Sequence, residues 1–321
     1  MSKGIDLRMK KRIITAVVMG IVLIPLLLIE VLLPVFELLV IALGTIATFE
    51  LVNMYDKQKK IAMPMKILTV VLTMVLYASI VNSFSICDKS LICKFLDIIN
   101  VSAIFTPVIA LFAIFIILMS CLVFVPDFEV QDIGKLYLAI IYVGVCVGAF
   151  LTLRYYGVRF VIYLLLVSMS TDIFALVFGL SFGKHKMAPN ISPKKTWEGA
   201  IGGTATALVI GFCFLFFYKN MSPTFHDGQS LEFFDTVFNY KDFSTPGKVF
   251  FVIILTIALS ACSQIGDLVA SKLKRCYGIK DYSNLFPGHG GVLDRFDSTF
   301  FASAIFLLFM IAESNIFPWI G

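Results

Sequence analysis

Long apolar runs constrain the fold of this chain more than any other feature. Several of them reach about 18 residues or more, the length that crosses a bilayer as an α-helix. Hydrophobic residues make up 59% of the chain and charged residues 15%, a balance unlike that of a soluble domain. We therefore predict an all-α polytopic membrane protein with about nine transmembrane helices. The predicted spans are roughly Ile13–Ile29, Leu32–Met54, Ile67–Val81, Val101–Val125, Leu136–Leu153, Phe160–Phe182, Ala200–Tyr218, Val249–Ile265 and Phe296–Trp319.

The basic residues predict the orientation of these spans. If the N-terminus lies inside and the sides alternate, 19 of the 26 Lys and Arg residues fall on the inner side. Inner loops carry an excess of Lys and Arg, so this arrangement is favoured, with the C-terminus outside. The first span follows a basic stretch without a small-residue cleavage site, and we interpret it as a signal anchor. Nucleic-acid binding is a poor interpretation, because the basic residues form no soluble domain.

One segment, Ser271–Asp297, gathers most of the unusual polar chemistry between two apolar runs. With Ser263 and Asp267 just upstream, Ser271 and Lys274 fall on one face of a predicted helix. Asp294 and Asp297 share a face at the start of the next helix. A Gly-rich stretch around His289, including Gly290 and Gly291, can approach a phosphate closely. Carboxylates beside basic groups are typical of metal-assisted phosphoryl or nucleotidyl transfer; the alternative is a solvated basic loop.

A second polar loop, Gly183–Gly199, lies on the same predicted side of the membrane. Ser192-Pro193 followed by Lys194, Lys195 and Thr196 predicts a helix start, with Ser192 or Thr196 as the cap and Pro193 at the first helical position. A helix N-terminus with two lysines and a hydroxyl can bind an anion. The alternative is an ordinary capped loop with basic residues.

Four further polar positions remain open on the residues alone. Asp172 lies midway along a predicted span, so it either lines a wet cavity or joins helices by hydrogen bonds. Glu50, near the inner end of its helix, either lines the same cavity or extends to the interface. Cys87 and Cys93 share a loop and either pair or stay as thiols.

The pattern S-x-L-K-R-x4-K-D-x-S-x2-F-P-x-H-G-G-V-x-D-R-F-D over Ser271–Asp297 resembles the signature of CDP-diacylglycerol synthases, the phosphatidate cytidylyltransferases, without a departure. The loop from Gly183 resembles that family's second block, close to G-K-x-x-x-x-P-x-I-S-P-K-K-T-W-E-G. Family members also carry an acidic residue in the span of Asp172. One departure is Leu176, where the family often has Tyr.

The resemblance implies transfer of a cytidylyl group from CTP to phosphatidate. The expected partners are these two substrates and the membrane lipids, with no nucleic acid. A homodimer is compatible with the resemblance. It implies Mg2+, with space for a second, monovalent or divalent, cation. The implied metal ligands are Asp267, Asp294 and Asp297, and the implied catalytic residues are Asp267, Ser271, Lys274, Asp294 and Arg295. The implied substrate-binding residues are Ser192, Lys194, Lys195, Thr196, Lys274, Arg275, Lys280, His289, Gly290 and Gly291, with Asp172 in the cavity wall.

The resemblance also predicts how the chain is organised. We expect one integral membrane domain over residues 1–321, with N-terminal spans over roughly 13–153 and a catalytic part over roughly 160–319. The active site and N-terminus are expected on the cytoplasmic side of a bacterial inner, or plasma, membrane. Two alternatives stay open: a CTP-dependent enzyme acting on another lipid phosphate, and, from a different class, a cation transporter. No internal repeat of the kind common in transporters is evident.

Overall fold

A computed structural model describes residues 20–84, 90–218, 245–286 and 290–316. It is almost entirely helical. The first described helix, α1, covers residues 20–28, and a 3-10 turn at Glu30–Leu32 leads into the next. The later helices are α2 Leu33–Tyr55, α3 Met63–Ser83, α4 Leu91–Ile98, α5 Pro107–Phe124, α6 Val130–Tyr156, α7 Val158–Phe182, α8 Trp197–Tyr218, α9 Thr245–Cys276 and α10 Leu293–Ile316. Two short strands precede α8.

Eight of the described helical stretches are long and apolar enough to cross a membrane. They are Glu30–Tyr55, Met63–Ser83, Pro107–Phe124, Val130–Tyr156, Val158–Phe182, Trp197–Tyr218, Val249–Cys276 and Leu293–Ala312. Each overlaps one of the nine spans predicted from the apolar runs, which confirms the prediction of an all-α polytopic membrane protein. The remaining predicted span, the first, begins outside the described residues.

The chain divides into two compact units. Unit one comprises Met1–Tyr155 and Lys274–Phe296, and unit two comprises Tyr156–Leu273 and Asp297–Gly321. The core of unit one contains fully buried aliphatic side chains from α2, α3 and α6, among them Leu51, Leu76 and Leu136. Lipid is as apolar as these side chains, so their van der Waals contacts, and not the hydrophobic effect, hold the helices of this core together.

A buried carboxylate on α2 also fixes the start of α4 in unit one. Glu37 has no exposed surface, and its oxygens accept hydrogen bonds from the Ser90 hydroxyl (2.9 Å) and from the backbone N–H groups of Leu91 (2.8 Å) and Ile92 (3.1 Å). The first N–H groups of a helix have no partner within the helix, so an outside acceptor must satisfy them. Glu37 therefore acts as a remote cap for α4.

Unit two joins its helices by hydroxyl pairs within an apolar core. Tyr163 on α7 bonds Thr256 on α9 at 2.7 Å. One turn and more along the same helices, Ser168 lies 2.9 Å from the Ser263 hydroxyl, and the Thr171 hydroxyl donates to Ser260 at 2.9 Å. Hydrogen bonds between helices hold membrane bundles together where burial of apolar surface cannot.

A β-hairpin in unit two precedes α8, and the sequence interpretation did not include it. Strand β1, Lys186–Ala188, pairs in antiparallel fashion with strand β2, Ser192–Thr196. The exposed His185 imidazole and backbone N–H both contact the Glu198 carboxylate, with 2.6 Å between Nδ1 and Oε1. This contact ties the base of the hairpin to the first turn of α8.

The predicted helix start at Ser192-Pro193 is therefore wrong. Both residues lie in strand β2, and α8 begins only at Trp197. The Thr196 hydroxyl accepts a hydrogen bond from the backbone N–H of Gly199 at 3.2 Å, so Thr196 is the cap, as one of the two alternatives had it. A strand accepts Pro193 because each strand of a two-stranded hairpin has an unpaired edge, where a missing N–H costs nothing.

Candidate active site

The predicted site residues are distributed over both units. Unit two contains Asp172, Ser192, Lys194, Lys195, Thr196, Asp267, Ser271 and Asp297. Unit one contains Lys274, Arg275, Lys280, Gly290, Gly291, Asp294 and Arg295. His289 lies outside the described residues. Each unit has its own polar cluster.

An ion pair between the hairpin and α9 forms the centre of the cluster in unit two. The Lys195 ammonium lies 2.7 Å from Oδ2 of Asp267 and donates to the backbone carbonyl of Gln264 at 3.3 Å. Strand β2 positions the lysine and α9 positions the aspartate. The Lys195 side chain is 24% exposed and the Asp267 side chain is 36% exposed, so a charged ligand from solvent can reach both.

Three further polar side chains surround this ion pair. The Ser271 hydroxyl, one turn along α9, faces Oδ1 of Asp267 at 3.4 Å, as the predicted helix face requires. Asp172 is accessible, lies within electrostatic reach of Asp267 and Lys195, and accepts a hydrogen bond from Ser298 at 3.3 Å. We call Asp172, Lys195, Asp267, Ser271 and Ser298 the unit-two cluster.

The other predicted residues of unit two lie at varied depths. Lys194 is exposed on strand β2, next to the half-buried Lys195. Leu176, the departure from the family pattern, is 56% exposed. Asp297 is only 7% exposed, and its Oδ1 accepts the backbone N–H of Ser298 at 2.7 Å.

Unit one contains a carboxylate that caps α10 from another helix. Glu50 on α2 is 5% exposed. Its Oε1 accepts hydrogen bonds from the Ser283 hydroxyl at 2.5 Å and the Val292 N–H at 3.0 Å, while Oε2 accepts from the Leu293 N–H at 3.0 Å. Glu50 thus satisfies the first N–H groups of α10 and fastens the preceding segment to α2. This contact differs from both alternatives considered for Glu50.

Asp294, in the first turn of α10, is the second carboxylate of this arrangement. Its side chain is 3% exposed, and Oδ1 accepts a charged hydrogen bond from the Lys274 ammonium at 2.6 Å. Oδ2 accepts the backbone N–H groups of Tyr282 at 2.8 Å and Gly291 at 2.9 Å. The Lys274 ammonium also lies 5.2 Å from the ring centroid of Tyr282. One carboxylate therefore orders both the lysine and the segment 282–291.

Two glycines make this close packing possible. Gly290 has a φ of +88°, and a Cβ built on it would lie 2.8 Å from Oδ2 of Asp294. A Cβ on Gly291 would lie 2.5 Å from Oε1 of Glu50. Both positions require glycine, one for backbone conformation and for space, the other for space alone. We call Glu50, Lys274, Tyr282, Ser283 and Asp294, with these glycines, the unit-one cluster.

The remaining predicted residues of unit one lie near the end of α9 and the start of α10. Arg275 donates to the Ile279 carbonyl at 3.1 Å and so closes the turn that follows α9. Lys280 and Arg295 are exposed. In the same turn the Tyr277 ring packs on Tyr55, with 5.2 Å between centroids, and burial raises the pKa of the Tyr277 phenol.

The carboxylates differ in how well they fit a metal ion. Within neither unit do three or more described His, Cys, Asp or Glu side chains form a group that could hold one. Asp267 fits best: it is 36% exposed, and its Oδ1 has only the long contact with Ser271. Asp294 directs both oxygens at protein donors, so it could bind a cation only if Lys274 moved away.

Sequence reasoning found the chemistry of these clusters but not Glu50 as a capping residue. The only signal was a lone carboxylate near the end of an apolar helix. Its partners lie 233 or more residues further along the chain, where no local pattern identifies them. The two clusters offer ammonium groups and the accessible carboxylates of Asp172 and Asp267. Such groups suit a protein that binds phosphates at a membrane.

Comparison with known proteins identifies the family to which this chain is similar. The model of the cytidylyltransferase family matches residues 10–312. A phosphatidate cytidylyltransferase of Bacillus subtilis (strain 168) is 34% identical over 307 residues, which cover 95% of this chain and 98% of the relative. One of Staphylococcus haemolyticus (strain JCSC1435) is 35% identical over 63% of this chain and 68% of its own length. One of Haemophilus influenzae is 40% identical over 48% of this chain and 46% of its own.

The fold is that of a polytopic membrane protein, and the chemistry of its clusters suits phosphate binding. The chain belongs to the cytidylyltransferase family, and it is a nucleotidyltransferase that uses CTP. This confirms the family resemblance derived from the two polar loops. The relatives' names support neither the transporter nor the enzyme for a different lipid phosphate.

Proposed function

We propose that this protein is a phosphatidate cytidylyltransferase, which converts CTP and phosphatidate into CDP-diacylglycerol and pyrophosphate. One observation carries the proposal: the Bacillus subtilis relative of that name matches this chain over nearly the full length of both proteins. The polar clusters described above contain some residues from each of the two polar loops that resemble the family's motifs. Their chemistry is that of phosphate binding, as both substrates require.

The reaction needs no nucleophilic side chain. An oxygen of the phosphatidate phosphate attacks the α-phosphorus of CTP, a new P–O bond forms, and the bond to the β-phosphate oxygen breaks. Pyrophosphate leaves with the electron pair of that bond. Catalysis then consists of holding two anionic substrates in line and stabilising the charge that develops on the leaving group.

Several described residues suit these tasks. Lys195 of unit two and Lys274 of unit one each offer an ammonium group already paired with a carboxylate, so each is held in place before substrate binds. The described backbone N–H groups from Gly290 to Leu293 already donate to protein acceptors, so they hold the Gly-rich segment in place, and Gly290 and Gly291 stay predicted neighbours of a phosphate. Ser271, Arg275, Lys280, His289 and Arg295 remain predicted phosphate contacts, as do Ser192, Lys194 and Thr196.

We further propose Mg2+ as the cofactor, with Asp267 as its first ligand and Asp297 and Asp294 as the other predicted ones. A bound divalent cation would neutralise charge on the triphosphate. Asp267 supports this assignment because it is 36% exposed and its Oδ1 makes only a long contact, 3.4 Å, with the Ser271 hydroxyl. The second cation stays a prediction.

The distribution of basic residues and the solubility of CTP indicate on which side of the membrane the active site lies. We propose that the N-terminus and both polar loops face the cytoplasm and that the membrane is the bacterial inner membrane. The 19 of 26 basic residues on one side support this orientation, and CTP is a cytoplasmic solute. Phosphatidate would enter from the surrounding lipid. The homodimer stays a prediction.

A direct assay tests the proposed function. Purified protein in detergent is incubated with CTP labelled in the cytosine ring, Mg2+ and phosphatidate, and the lipid phase is analysed for labelled CDP-diacylglycerol. Label in the lipid, with release of one pyrophosphate for each product, is expected. Parallel reactions contain lyso- or isoprenoid phosphates in place of phosphatidate. Faster transfer to one of those lipids, or no transfer to any, would refute the proposal.

A further inference from the structure

A polar cavity of about 410 Å3 in unit one is not explained by the contacts described so far. It lies between the last turn of α2 with the residues just after it and the segment that follows α9. Its polar lining consists of Asn53, Lys57, Asp281, Ser283 and Asn284. Met54, Ile279 and Tyr282 complete the lining. A cavity of this size accommodates a small ligand rather than only water.

We infer that this cavity binds the cytosine and ribose of the nucleotide substrate. The inference rests on the proposed function and goes further, because neither the family resemblance nor the relatives' names assign a site to the nucleoside. The lining offers carboxamides for the donor and acceptor edge of a pyrimidine base, and a carboxylate, Asp281, that can accept hydrogen bonds from ribose hydroxyls. Lys57 adds the positive charge that a triphosphate requires.

The cavity wall is ordered before any ligand binds. Ser283 is held by the Glu50 carboxylate at 2.5 Å, and the Tyr282 backbone is held by Asp294 at 2.8 Å. Asn53 accepts a hydrogen bond from the Lys66 ammonium at 2.7 Å through its carbonyl oxygen, which fixes the orientation of its amide. A pre-ordered wall lowers the entropy cost of binding and favours a rigid ligand such as a nucleoside.

The cavity also adjoins a residue predicted to act on phosphates. The Lys274 ammonium lies 5.2 Å from the centroid of the Tyr282 ring, and Tyr282 is one of the residues that line the cavity. A nucleoside bound in the cavity would therefore have its phosphates close to Lys274. The Asp294 carboxylate accepts hydrogen bonds from both the Tyr282 backbone and the Lys274 ammonium, so it fixes the cavity lining and this lysine relative to each other.

A lipid is a poor candidate for this cavity because five of the eight lining residues carry polar, non-aromatic side chains. Unit two has a contrasting cavity of about 500 Å3, whose wall includes Trp197, Leu208, Ile257 and Ile265. An acyl chain would prefer that apolar wall. The polar cavity of unit one therefore suits the nucleotide.

Steady-state kinetics on the purified full chain tests the inference. Asn284→Ala and Lys57→Ala are expected to raise the KM for CTP about tenfold or more, while the KM for phosphatidate and kcat stay within about twofold. Both residues are exposed, so neither change removes core packing. Lys60→Ala is the matched control, since Lys60 is an exposed lysine three residues away that does not line this cavity. Free cytidine should compete with CTP in the wild type and about tenfold less well in Asn284→Ala.

The possible failures can be told apart. If the wild type transfers nothing to phosphatidate, the proposed function fails, and equilibrium dialysis with labelled CTP then tests the cavity alone. Binding that is weaker in Asn284→Ala than in Lys60→Ala would support the cavity, and equal binding would overturn it. With an active wild type, an unchanged KM for CTP in both variants, an equal rise in the control, or a rise in the KM for phosphatidate instead would each overturn it.

Discussion

The carboxylate of Glu50 occupies the space that a side chain on residue 291 would need. A Cβ on Gly291 would lie 2.5 Å from Oε1 and 2.6 Å from Oε2 of Glu50. The same carboxylate accepts the N–H groups of the next two residues, Val292 and Leu293. Glycine at 291 and glutamate at 50 therefore depend on each other, and the start of α10 depends on both.

Gly291→Ala tests this dependence. The added methyl group must displace the Glu50 carboxylate, which leaves buried N–H groups of α10 without an acceptor. Each such group costs about 1–3 kcal/mol. We expect at least a tenfold loss of turnover and a lower midpoint of thermal aggregation in detergent. Gly134→Ala is the control, because a Cβ on Gly134 would meet nothing within 4 Å. Equal behaviour of the two variants would contradict the proposed packing.

Replacing Glu50 should show whether this residue positions the active site or only stabilises the folded protein. Glu50→Gln keeps one acceptor oxygen and should retain more turnover than Glu50→Ala, which keeps none. Glu37→Ala is a matched control, since it removes an equivalent cap from α4 in the same unit. All three variants should lower thermal stability, but only the Glu50 variants should lower kcat per folded molecule. A similar kcat loss in Glu37→Ala would mean that Glu50 acts through stability alone.

The two lysines of strand β2 should differ in importance. Lys195 forms the ion pair with Asp267, whereas Lys194 is exposed on the strand. We expect Lys195→Ala to lower kcat/KM about 100-fold, in the range observed for groups that stabilise transition-state charge. Lys194→Ala should lower it only a few-fold. Equal losses would show that the loop acts through its summed charge, and wild-type kinetics in both would remove it from the site.

The proposed metal requirement can be tested by chelation. Excess chelator should abolish transfer by the wild type, and added Mg2+ should restore it. Asp267→Asn should remain inactive at every Mg2+ concentration, and so should Asp294→Asn, which also loses its ion pair with Lys274. Asp297→Asn should be severely impaired but recover in part at high Mg2+. Full wild-type activity in chelator, or substantial activity in the Asp267 variant, would refute the assignment.

Apolar length was enough to predict most of the fold. A membrane span is a local property of about 20 residues, so eight spans could be located without any knowledge of their partners. The helix face of Asp267 and Ser271 is likewise local, and the structure places the two side chains 3.4 Å apart. The hairpin before α8 could not be derived in this way, because a Ser-Pro pair suits a strand as well as a helix start.

Contacts between distant parts of the chain account for what the sequence did not indicate. Glu50 gains its role from Ser283, 233 residues further along, and Lys195 meets Asp267 only because β2 packs near α9. The basic and acidic residues of the two polar loops suggested that these groups would bind phosphates and a metal. They did not reveal that Asp294 already uses both oxygens to order Lys274 and the segment before α10.

The two capping glutamates of α2 restrict how this helix can vary in evolution. Glu37 and Glu50 are thirteen positions apart, about 20 Å along the axis, and each serves the start of a different helix in unit one. Inserting or deleting one residue between them would rotate one carboxylate by about 100° relative to the other, so only one helix could keep its cap. Side chains in this stretch can therefore change, but its length cannot. Insertions should accumulate in the loops on either side.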